Sequence, residues 1–180
     1  MKVTVALLAV ALALHLGNLL VPAIDFDESV HVNVGATLGR TGEYGNTWET
    51  GELQAPDRTS STGLPLLLPV AWAWKLGVRT PVALRLAVLT PFFVAFLWFF
   101  NRSFPEANPL ERATAAALLL AVPGWAYFSA RVLGEIPALC WTLLGALLLL
   151  GDRSFLGSLC WGMAGAIKLV FFPALALRQT

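Results

Sequence analysis

Apolar stretches long enough to enter a bilayer recur along this chain, each separated from the next by a short polar break, and that repetition limits the fold more than any other feature. Val3 to Val21 is apolar apart from Thr4, His15 and Asn18. About 19 residues at a 1.5 Å rise give roughly 28 Å, close to the hydrocarbon thickness of a membrane. Thr80 to Phe100, Ala113 to Phe128, Ala138 to Leu150 and the run that begins at Phe155 repeat the pattern. The composition agrees, with 57% hydrophobic and only 13% charged residues and a mean hydropathy of +0.71, against about 25% charged in a soluble domain. The expected fold class is therefore all-α, a multi-pass transmembrane helical bundle of about 5–6 membrane helices. The whole of residues 1–180 reads as a single membrane module.

Charge sets the expected topology. Lys2 precedes the first run and Arg102 and Arg112 flank the break at 101–112, which puts the N-terminus and that break in the cytoplasm. Asp25 then emerges on the outer side of the plasma (inner) membrane. A cleaved signal peptide is the competing reading of the N-terminus, but the run exceeds the usual 7–15 apolar residues and no clean A-x-A cleavage site follows it before Asp25, so an uncleaved first helix is expected. His15 and Asn18, about a turn apart, are expected to make helix-helix hydrogen bonds. The net charge of +1 comes from 12 scattered basic residues, which excludes a nucleic-acid stripe. Cys140 and Cys160 lie within apolar runs and read as small hydrophobes.

Residues 23–79 form the expected outer loop, with surface-lying helices near 26–38 and 63–76. Asp25 and Glu28 have the spacing of a capping box, and Gly39 or Gly42 would end the first helix. Asp27, His31 and Val34 then share a face. The second segment is short, carries Pro65 and Pro69, and has Trp72, Trp74 and Lys75 suited to an interface. Arg85, inside an apolar run, either snorkels to headgroups or marks a site. Ser129 to Pro137 is a polar corner in which Arg131 and Glu135, four apart, are candidates for a simple ion pair. The run from Phe155 is expected to break near Lys168, turning back so that Arg178 lies inside.

Four segments in order, Asp25-Phe-Asp-Glu-Ser, Gly63-Leu-Pro-Leu-Leu, Ala83-Leu-Arg-Leu and Ser129-Ala-Arg-Val-Leu-Gly-Glu-Ile-Pro, with Gly162-Met-Ala-Gly-Ala-Ile-Lys168 after them, carry a resemblance. Together they resemble the N-terminal part of the GT-C superfamily of polyprenyl-phosphate-dependent glycosyltransferases, which includes protein O-mannosyltransferases and lipid A aminoarabinose transferases. The resemblance implies a lipid-linked sugar donor used on the outer face and an acidic residue of the first outer loop as catalytic base. Asp27 is the matching position. Members of the superfamily run to several hundred residues, so the chain is expected to be the N-terminal part of a longer enzyme, with sugar and acceptor undefined.

Glycosyl transfer to a hydroxyl needs a base as the C–O bond forms, a role that Asp27 with Glu28 beside it can fill. A bound divalent cation would relieve the crowding of those two carboxylates, with His31 as a third ligand or as the residue that orients Asp27. The departing phosphate needs cations, and Arg85, Arg131 and Lys168 are expected at the donor, the arginines ahead of the lysine because a guanidinium fork matches phosphate. Glu135 would bind the acceptor or orient an arginine. The rival readings are a non-catalytic membrane scaffold and a transporter fragment. Convergence of these residues on one outer cavity distinguishes the enzyme from both.

Overall fold

In a computed structural model, which describes residues 2–47, 51–54 and 63–168, these described residues form eight helices: α1 (Lys2–Leu20), α2 (Phe26–Thr41), α3 (Leu64–Lys75), α4 (Pro81–Arg102), α5 (Pro109–Leu120), α6 (Pro123–Phe128), α7 (Glu135–Leu150) and α8 (Ser154–Ile167). Among the described residues the only extended pairing is an isolated bridge between Asn46 and Gln54. The remainder of the expected outer loop (48–50 and 55–62) and of the last apolar run, including Pro173 and Arg178, lies outside the described residues.

Helix starts follow local chemistry. Prolines stand in the first turn of α3, α4, α5 and α6, where a missing N–H costs nothing. Asp25 caps α2, accepting from the Glu28 N–H at 2.8 Å, and Thr80 caps α4 through Ala83. The expected capping box on α2 is only half made, because the Glu28 side chain turns inward. A complete one opens α5, between Asn108 and Glu111. Gly42, not Gly39, ends α2: it sits at φ +79° and its N–H returns to the Leu38 carbonyl at 3.0 Å, the left-handed cap that glycine favours.

Gly39 has another task. A Cβ there would lie 2.7 Å from the Ala71 carbonyl oxygen, and one on Gly35 would meet Val70 at 2.5 Å. This pair, four apart, lets α3 lie against α2 backbone to backbone. Gly145 and Gly157 do the same for α7 and α8, where a Cβ on either would stand 2.9 Å from the other's carbonyl oxygen. Around these contacts, α3, α4, α7 and the end of α8 enclose a core of Leu66, Val70, Leu84, Val88, Leu89, Ala138 and Ile167. A second cluster joins Phe96 of α4 to Ile136 and Cys140 of α7, with Trp125 packed on it, and α1 lies along α5 and α6.

One helix among the described residues, Pro81–Arg102, is long and apolar enough to cross a membrane, and a third of its most apolar window is buried inside the protein. The expected span 113–128 is two helices, since Pro123 cannot donate and holds Val122 extended at ψ 121°. The 16 residues of α7 and 14 of α8 reach about 24 and 21 Å, short of a 30 Å hydrocarbon layer. Helix α8 ends at the expected break, with Lys168 extended at φ −140°, ψ 117°. Asn18 bonds the Leu14 carbonyl of its own helix, whereas His15 bonds Ser129 Oγ at 2.9 Å and stacks on Phe93.

Candidate functional site

The start of α2, the corner 129–134, the first turn of α7 and the end of α8 meet at one end of the bundle. Chemistry-bearing residues from all four are gathered there, in two layers.

The inner layer is a closed ion-pair network. Glu28 and Arg85 are both fully buried. Arg85 Nε donates to Glu28 Oε1 at 2.7 Å and Nη2 to Oε2 at 2.5 Å, the bidentate fork that best repays desolvation. Its other N–H groups go to the carbonyls of Leu19, Val21 and Ala23, at the exposed-backbone end of α1. All five donors of the guanidinium are thereby used. Glu28 also accepts from the Val132 N–H at 2.9 Å and from Arg131 Nη1 at 3.4 Å. The network thus ties α1, α2, α4 and the corner together. Two expectations change here. Glu28 is no surface carboxylate, and Arg85 has no donor left for a phosphate.

The outer layer is more open. Asp27 is exposed at the first turn of α2. His31, one turn on, is buried at 4% exposure, and its Nδ1 lies 3.0 Å from the Val132 carbonyl. A carbonyl can only accept, so Nδ1 carries the proton and Nε2 is the basic nitrogen of the neutral ring. Burial pushes the His31 pKa below its usual 6.5 and the Lys168 charge adds to this, while the Val132 bond and the carboxylates of Asp27 and Glu135 act the other way. Three charged groups, Lys168, Asp27 and Glu135, therefore lie within electrostatic reach of His31. Lys168 Nζ pairs with Glu135 Oε1 at 2.9 Å, both side chains partly exposed.

Arg131 links the layers. Its Nη1 donates to the Ala23 carbonyl at 2.5 Å, its guanidinium lies over the Tyr127 ring at 5.7 Å, and its buried Nε has no hydrogen-bond partner among the described residues. The expected Arg131–Glu135 pair does not form, because 129–134 is not helical and α7 begins only at Glu135. Tyr127, not anticipated from the sequence, donates to the free oxygen of Asp25. That contact spans 102 positions, and no local signal announces it. Glu135 Oε2 is likewise buried and has no hydrogen-bond partner among the described residues. Among the described residues no group of three His, Cys, Asp or Glu side chains could hold a metal ion. With Glu28 turned toward Arg85, the expected Asp27, Glu28 and His31 ligand set is not assembled.

No protein-family profile matches the chain, and no curated protein or solved structure matches it either.

Proposed function

We propose that this chain is a membrane glycosyltransferase module of GT-C type, transferring a sugar from a polyprenyl-phosphate donor to an acceptor hydroxyl on the outer face of the membrane. The observation that carries this reading is the division of labour at the start of α2. Glu28 is fully buried in an ion pair, while the adjacent Asp27 is exposed one turn before His31, on which its charge acts together with those of Glu135 and Lys168. A catalytic base must reach substrate, and of the two carboxylates only Asp27 can.

In the proposed step the acceptor oxygen attacks the anomeric carbon as its proton passes to the Asp27 carboxylate. The bond from that carbon to the phosphate oxygen breaks, and its electron pair leaves on the phosphate. Arg131, with an unspent buried Nε, and Lys168, partly exposed, are the cations for that developing charge. Arg85 supports them from below by holding Glu28 and the backbone at 19–23. A multi-pass arrangement is part of this proposal. Its support is the set of large apolar side chains facing outward along α1, α4 and α8, such as Leu12, Val94, Trp98, Phe155 and Leu159, since an apolar exterior on this scale needs lipid or a partner to cover it.

The test is release of polyprenyl phosphate from a panel of labelled polyprenyl-phosphate sugars by the chain reconstituted in vesicles. Donor-dependent release is the expected result. A correctly folded, vesicle-inserted chain that neither binds nor consumes any donor would overturn the reading.

A further inference from the structure

The opposite end of the bundle carries a second site that the transfer reaction does not use. Helices α4 and α7 both run away from the Asp27 cluster, and between their last turns lies an open cavity of about 650 Å³. Its polar edge is Asn101, Arg102 and Arg112, and its walls include Trp98, Leu144 and Leu147. A second cavity of about 450 Å³ shares Asn101 and Arg112 but lies on their other side, against Leu97, Phe100 and Ala113. No carboxylate lines either one.

We infer that this site binds a two-chain membrane phospholipid with an anionic headgroup. The headgroup phosphate would sit at Arg102 and Arg112, with one acyl chain in each cavity. Arg112 is already oriented: Nε donates to the Ala107 carbonyl at 2.8 Å and Nη1 to Asn101 Oδ1 at 3.1 Å, so little freedom is lost on binding. The nearby carboxylate of Glu111 accepts from the Asn108 N–H in the α5 capping box and forms no ion pair with Arg102 or Arg112 among the described residues. Arg102 is exposed and has no side-chain partner among the described residues.

The apolar length also suits an acyl chain. A third, wholly apolar cavity lined by Phe92, Ala95 and Cys140 shares Leu144 with the first. From Arg102 back to Phe92 along α4 is about 15 Å, and the first and third cavities follow one another along that length beneath one cationic rim. Basic pockets between membrane helices recognise anionic headgroups in this way. The inference stands on α4 lying in a membrane and is independent of sugar transfer.

The experiment is native mass spectrometry of the full chain in detergent with equal amounts of dioleoyl phosphatidylglycerol and dioleoyl phosphatidylcholine, which differ in headgroup charge and share their chains. Phosphatidylglycerol adducts should exceed phosphatidylcholine adducts by about fivefold or more, and the excess should vanish in the Arg102→Gln/Arg112→Gln double variant. Lyso-phosphatidylglycerol, with one chain, should be retained less. Should Arg112→Gln lower the helix content, Arg102→Gln alone should still cut the preference at least about twofold. Equal retention of the two lipids by the unmodified chain, an undiminished preference in the folded arginine variants, or equal retention of the lyso-lipid would overturn the inference.

Discussion

Asp27 and Glu28 are adjacent in sequence and opposite in consequence. Removing the Glu28 charge by Glu28→Gln leaves Arg85 buried without its counter-ion, and should lower stability by about 3–5 kcal/mol. Asp27→Asn, at an exposed position, should change it by no more than about 0.5 kcal/mol. Thermal unfolding in one detergent compares the two directly, and similar losses from both would refute the layered description. His31 adds a pH dependence. Its pKa is lowered in the folded protein, so the unfolded chain binds the proton more readily. The stability that neutral His31 supports is complete above about 6.5 and is lost as pH falls through the lowered native value. His31→Gln should flatten the decline of melting temperature on the acid side, and an unchanged slope would remove His31 as its source. Of this residue-scale picture the sequence disclosed Asp27 but not the fate of Glu28. Helix spacing allowed a capping role, and nothing local announces an arginine 57 positions away.

At the scale of elements, glycines decide how close the helices come. Gly39→Ala must push against the Ala71 backbone and should cost about 1–3 kcal/mol. Gly162→Ala, with nothing within 4 Å of the added carbon, should be neutral or stabilise by up to about 1 kcal/mol. Unfolding midpoints of the two variants check this, and a cost at Gly162 equal to that at Gly39 would mean that close approach is not what Gly39 provides. Helix starts were legible because their determinants are local, as at Asp25, Thr80 and the first-turn prolines. The Gly35–Gly39 spacing was also in plain sight, yet an apolar surface helix explains the same residues until α3 is seen against them. Periodicity read 113–128 as one span, whereas Pro123 divides it, because a proline's effect depends on whether neighbours re-satisfy the backbone it frees.

For the whole molecule, composition conveys apolarity but not how many helices cross a bilayer. Length distinguishes α4 from α7 and α8, and length alone does not place the shorter pair. The proposed topology puts the two ends of α4 on opposite sides. Glu43→Cys should react with a membrane-impermeant maleimide from outside, and Glu106→Cys only after permeabilisation. Labelling of both from the same side would remove the crossing. Convergence of distant segments is the property a site requires, and it was the least readable from sequence. Of the residues expected together, Glu135 and Lys168 pair directly, both they and Asp27 act electrostatically on His31, Arg131 reaches Glu28 and Ala23 behind them, and Arg85 is withdrawn into the fold.

The most direct measurement compares donor consumption by the unmodified chain, Asp27→Asn and Asp27→Glu in the same vesicles, with helix content confirmed for each. Loss of the base should lower turnover by about 10²–10⁴-fold in Asp27→Asn, with partial recovery in Asp27→Glu. Turnover by Asp27→Asn equal to that of the unmodified chain would contradict the assignment of Asp27 as the base.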